Sequence, residues 1–224
     1  MNIVGLDLSP KSPGCFKYKL NNNMKPIEFE FMGFTDVKKN EQEGIHFYHK
    51  DKTFNNYIDR EEWMLNKIVA FCYDVDYIAI EDYAFNATGR VFHIAEFAGL
   101  VKHRLYMKGK KIRLYDPGSI KIFASSRGNC DKITMYDSFI KDKGLKFDLN
   151  KLPEVKKSSG KSPTSDLIDA YYVCNLLKTE LTIRKGLKTV KDYNEDVIKV
   201  FNRVTTAHPE NILASDFLEL TKAE

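Results

Sequence analysis

Four carboxylates in this chain stand where metal-ion chemistry would need them. Asp7 closes the apolar run Ile3-Val4-Gly5-Leu6, and Glu81 closes a second, Tyr77-Ile78-Ala79-Ile80. Asp166 and Asp169 lie three residues apart in Ser165-Asp166-Leu167-Ile168-Asp169-Ala170, a spacing that puts both on one helix face. A carboxylate beside a core is costly unless it is paired, protonated or bound to metal. Hard divalent cations such as Mg²⁺ take oxygen ligands, and two of them about 4 Å apart clamp the attacking and leaving oxygens of a phosphodiester. Each acid also has an ordinary reading. Asp7 would cap a turn with Ser9, Glu81 would pair with a lysine, and Asp166 and Asp169 would complement a helix dipole. Together, the four favour a metal site.

Three elements must carry these acids. Ile3, Val4 and Leu6 read as a strand buried on both faces, hence central in a sheet. A Pro/Gly turn over residues 10–14 leads to a second strand, residues 15–20. Asn21-Asn22-Asn23 marks a hairpin. Ile27, Phe29 and Phe31 then alternate with Glu28 and Glu30 in a half-exposed third strand. Residues 35–56 are polar and read as irregular; a helix over 59–73 precedes the strand that ends on Glu81. Helix 91–108, strand 112–115, and helices starting at Asp116-Pro117 and Asp131 follow. A lysine-rich loop, 144–164, leads to a helix over 166–178 capped by Thr164 or Ser165. Further helices are expected around 197–204 and 212–220. The order describes an α/β protein with a mixed sheet.

Composition narrows the class. With 224 residues, one domain plus a tail is expected. The net charge of +4 permits an anionic partner without demanding one. Cys15, Cys72, Cys130 and Cys174 lie more than forty residues apart, with no C-x-x-C pair, which excludes a zinc ribbon or a disulfide framework. The first apolar run is too short for a signal peptide, and no stretch suits a membrane span. A cytoplasmic protein is expected, in a bacterial host cell or associated with the nucleoid, with no membrane partner.

Ile3-Val4-Gly5-Leu6-Asp7, Ile78-Ala79-Ile80-Glu81 and Ser165-Asp166-Leu167-Ile168-Asp169-Ala170 resemble the acidic motifs of the RuvC-type Holliday junction resolvases, within the RNase H-like nuclease superfamily. Phe85-Asn86, the long helix with Ala98-Gly99, the next strand and Asp116-Pro117 follow the family's order. Gly128 and Lys132 resemble its G-x-x-x-K region, and the resemblance spans roughly residues 2–178. It implies an RNase H-like mixed five-stranded sheet, order 3-2-1-4-5, flanked by helices. The nuclease domain would span 1–180, with 181–224 a helical extension. It implies two Mg²⁺ ions per site, replaceable by Mn²⁺, held by Asp7, Glu81, Asp166 and Asp169, with Lys132 near the scissile phosphate. A homodimer making paired cuts in a four-way DNA junction, a crossover junction endodeoxyribonuclease, is implied as well. Where bacterial members carry an aromatic wedge this chain has Ala84, between Tyr83 and Phe85. The segment 35–56 and the tail beyond 180 look like additions of the kind viral members carry, which suggests a phage or viral source.

Candidate DNA contacts are Tyr83 and Phe85, then Arg90, Lys108, Lys110 and Lys111, and Lys156, Lys157 and Lys161 of the loop before the acidic helix. Arg90, Lys102, Arg104, Lys108, Lys110, Lys111 and Arg113 crowd one segment whose only acid is Glu96. The Ala98-Gly99 pair suits a two-fold interface along its helix. Sugar kinases and actin-like ATPases also open with an apolar strand, Gly and Asp. They need a second glycine-rich phosphate loop and a longer chain. Another RNase H-superfamily nuclease, of RNA–DNA hybrid or transposase type, shares the metal site. A non-catalytic branched-DNA-binding scaffold would be expected to lack one or more of the four acids.

Overall fold

The computed structural model describes residues 1–49, 53–82, 91–152, 162–207 and 212–213. The strands are β1 (Asn2–Asp7), β2 (Gly14–Leu20), β3 (Pro26–Thr35), β4 (Ile45–Phe47), β5 (Tyr77–Glu81), β6 (Lys111–Tyr115) and β7 (Ile212–Leu213). The helices are α1 (Tyr57–Phe71), α2 (Val91–Met107), α3 (Pro117–Ser125), α4 (Lys132–Lys141), α5 (Thr164–Arg184) and α6 (Glu195–Ala207). The sheet order is β4-β3-β2-β1-β5-β6-β7. Strands β1, β2 and β3 form an antiparallel meander, while β1, β5 and β6 run parallel.

The middle five strands have the expected order 3-2-1-4-5. Two short edge strands enlarge the expected five-stranded sheet. Strand β4 lies within the segment read as irregular. Its three residues, of which Ile45 is buried, are too few for an alternation to show in the sequence. Strand β7 replaces the start of the helix expected at 212–220; residues 214–220 lie outside those described.

Strand β1 is buried on both faces, as a central strand must be. Ile3 packs in one core cluster with residues of α5, and Val4 and Leu6 pack in another with residues of α1 and α2. The same alternation holds in β5, where Tyr77 and Ala79 face the α5 side and Ile78 and Ile80 the α1/α2 side. A period of two therefore turns Asp7 and Glu81 toward α5.

Helix α5 crosses the sheet at main-chain contact. A Cβ added to Gly5 would lie 2.3 Å from the carbonyl oxygen of Ala170, and one on Gly14 would lie 2.2 Å from that of Asp166. Side chains larger than hydrogen at these two positions would lift the helix off the strands.

Helix α5 extends six residues past the expected end at 178, because Leu181 and Ile183 are buried. The polar residues that obscure this are satisfied internally. Glu180, fully buried, accepts from Arg113 Nε at 3.1 Å, Tyr115 Oη at 2.5 Å and Arg184 Nε at 2.7 Å. The anticipated cap by Thr164 or Ser165 is not made: the N-cap is Pro163, and both residues lie in the first turn. Val197, Val200 and Phe201 of α6 pack in the same core cluster as residues of α5. Among the described residues, no helix is long and apolar enough to cross a membrane.

Candidate active site

Asp7 and Glu81 end adjacent parallel strands, one residue beyond the paired Leu6 and Ile80. Asp166 and Asp169 descend on them from the first two turns of α5. One carboxylate oxygen from each of Asp7, Asp166 and Asp169 lies within 4.8 Å of the others. Glu81 stands outside this trio but lines the same cavity of about 640 Å³. All four acids of the sequence reading thus border one space. Lys132, at the first position of α4, reaches in from the side, aided by Asp131, which caps the helix by accepting from Thr134 N at 2.8 Å. The Lys132 ammonium lies 3.0 Å from Asp166 Oδ1 and 3.7 Å from Asp169 Oδ2.

The electrostatics follow from packing like charges near a core. Burial holds Asp7 well above the usual carboxylate range, and the charges of Glu81, Asp166 and Asp169 add to it. Glu81 is lifted to about 8, first by burial and then by Asp169, with Lys132 and Lys121 pulling against both. Asp169 is lifted to about 6 by burial and by Asp166, against Lys132. For Lys132 burial favours the neutral amine, but Asp166, Asp169 and Asp7 outweigh it and raise the pKa. Such a cluster has an excess of negative charge for a cation to neutralise. Its donors are carboxylate oxygens, which suit Mg²⁺ or Mn²⁺.

Two residues of this site escape a reading of the sequence. Ser12 lies in a stretch that reads only as a Pro/Gly turn, and its hydroxyl donates to Asp166 Oδ2 at 2.5 Å. Lys121 lines the cavity from α3, and its charge acts on Glu81 and Asp169. A signal for Lys121 does exist: it is the one charge in the otherwise uncharged helix Pro117–Ser125.

The candidate DNA contacts divide. Tyr83, Phe85, Arg90, Lys156, Lys157 and Lys161 lie outside the described residues. Lys108, Lys110 and Lys111 lie at the opposite end of the sheet from the carboxylates. Strand β6 carries the chain about 13 Å from Lys111 to Tyr115, the partner of Glu81. Lys110 Nζ donates to the carbonyls of Tyr73 and Val75 at 2.6 and 3.1 Å, and Lys111 Nζ lies 5.1 Å from the ring centre of Tyr77. Arg113, which the sequence groups with the basic surface, is 1% exposed and bound to Glu180. On α2, Ala98 packs inward, whereas a Cβ on Gly99 would meet nothing within 4 Å.

No protein-family model matches the sequence, and no curated protein matches it. Among solved structures, Thermus thermophilus RuvC in complex with a Holliday junction substrate is similar over 84% of this chain and 97% of its own, at 15% identity and a TM-score of 0.50. The fowlpox virus resolvase in complex with substrate Holliday junction DNA is similar over 81% of this chain and 99% of its own, at 15% identity and a TM-score of 0.45. The fold is that of the RuvC-like resolvases.

Proposed function

We propose that this RuvC-like chain is a structure-selective, metal-dependent endodeoxyribonuclease that resolves four-way and other branched DNA junctions by paired phosphodiester hydrolysis. The observation that carries the proposal is the meeting of Asp7, Asp166 and Asp169 within 4.8 Å, beside Glu81, on this fold. Two Mg²⁺ ions, or Mn²⁺ in their place, would activate a water for in-line attack and stabilise the leaving oxygen.

The chain's own residues supply the rest. Asp7, from the central strand, would hold the metal together with Asp166 and Asp169, and Glu81 lines the same cavity beside them. Lys132 pairs with Asp166 and Asp169, and cations on those acids would release its half-exposed side chain to meet a phosphate oxygen. Lys121 offers a second cation in the lining of the cavity. Cleavage leaves a 5′-phosphate.

A two-fold substrate favours a two-fold enzyme. The outer side of α2 exposes Phe92, Leu100 and Met107 by 84, 48 and 68%, an apolar face suited to a second copy. The test is cleavage of a synthetic four-way junction beside a linear duplex and an RNA–DNA hybrid, with Mg²⁺ and with EDTA. Junction-selective cutting that EDTA abolishes is expected. Full activity in EDTA refutes the metal site, and preference for the hybrid refutes the substrate class.

A further inference from the structure

We propose that Ser12 is a positioning residue of the carboxylate site, one that decides which oxygen Asp166 turns toward a cation; the inference rests on the metal-site reading above. Ser12 is 5% exposed and Asp166 3%. The Ser12 hydroxyl donates to Asp166 Oδ2 at 2.5 Å, a hydrogen bond strengthened by the carboxylate's charge. Oδ1 faces the other way, accepting from Lys132 Nζ at 3.0 Å and Ser165 Oγ at 3.2 Å. With Oδ2 tied to the β1–β2 turn, Oδ1 is the oxygen held by Lys132, the same ammonium that lies 3.7 Å from Asp169 Oδ2.

The turn is itself held from two sides. Gly14, where it ends, lies in backbone contact with Asp166, which brings Ser12 within reach. Tyr48 Oη donates to the carbonyl of Lys11 at 2.8 Å, fixing the peptide immediately before Ser12. Tyr48 is buried and set among Phe54 and Trp63 at 6.1 and 6.2 Å between ring centres. A chain of contacts thus runs from the β4 segment through Tyr48, Lys11 and Ser12 to a metal ligand. Partners that orient metal ligands in this way typically account for 10–100-fold in metal affinity.

The experiment is a calorimetric Mn²⁺ titration of the full chain without DNA, on wild type, Ser12→Ala, Ser12→Thr, Tyr48→Phe and Asp7→Asn, with melting curves in EDTA alongside. Ser12→Ala should bind Mn²⁺ about tenfold more weakly. Ser12→Thr, which keeps the hydroxyl, should restore most of that. Tyr48→Phe should weaken binding in the same direction but less, and metal-free melting should change little. Wild-type affinity in Ser12→Ala overturns the inference, as does an equal loss in the Ala and Thr variants. Wild-type protein that binds no Mn²⁺, or Asp7→Asn that binds as wild type does, overturns the metal-site reading instead.

Discussion

Glu81 offers a test that needs no substrate. Its carboxyl is lifted from the ordinary 4.5 to about 8, by burial first and by Asp169 second. The folded protein therefore holds a proton on Glu81 over a range where the unfolded chain has lost it. The stability this contributes is fully present below about pH 4.5 and is lost as the pH rises through about 8. At 1.36 kcal/mol per pKa unit the ceiling is about 5 kcal/mol, and partial exposure of the side chain reduces the expected effect to about 2 kcal/mol. In EDTA, Glu81→Gln should match wild type at pH 4.5 and exceed it at pH 8.5 by about 5 °C in Tm, using 2–4 °C per kcal/mol at this chain length. Adding Mn²⁺ at pH 8.5 should raise the wild-type Tm and largely close the gap, because a cation replaces the lost proton. A Glu81→Gln protein no more stable than wild type at pH 8.5 in EDTA would refute the electrostatic reasoning. A gain of equal size at both pH values would refute it too, since packing would then be the cause.

Other outcomes follow from the same geometry. Asp7→Asn should lower junction cleavage by on the order of 10³-fold while junction affinity in a gel-shift titration is retained. Gly5→Ala should cost about 3 kcal/mol in thermal unfolding, because its Cβ would meet the Ala170 carbonyl at 2.3 Å. Replacing Lys156, Lys157 and Lys161 together with alanine should weaken binding and reduce the slope of log affinity against log salt by about one for each phosphate no longer neutralised; an unchanged slope would remove that loop from the DNA surface. Leu100→Glu should shift the chain from dimer to monomer in sedimentation, and a wild-type protein that is monomeric even with junction DNA would remove α2 as an interface.

The acids are legible in the sequence because each stands at a boundary that local chemistry marks. Asp7 and Glu81 end apolar runs, and period-two alternation then dictates which face they share. Asp166 and Asp169 open a helix at a spacing that fixes their common face. The central strand order is legible through the resemblance of the three acidic motifs. What stays hidden depends on partners distant in sequence. Ser12 is ordinary until Asp166 lies 2.5 Å away. Arg113 reads as one more surface cation, and only a buried partner 67 residues later accounts for its burial. Lys110 and Lys111 join the candidate DNA contacts through their sequence proximity to other basic residues. Strand direction instead sends them to the far end of the sheet. Strand β4 is too short to announce itself by periodicity.

The two glycines under α5 decide how the site tolerates change elsewhere. The offset between helix and strands is set by main chain against main chain, with no side chain between that could shrink or swell. The separation of the β1 and α5 backbones, and with it the reach between Asp7 and Asp166, is therefore held by main chain, whereas the direction in which Asp166 turns is set by side chains that connect through Ser12 and Tyr48 to the α1 side. Distance and orientation in the carboxylate cluster thus have separate origins: a substitution on the α1 side can retune the second while the first stays fixed.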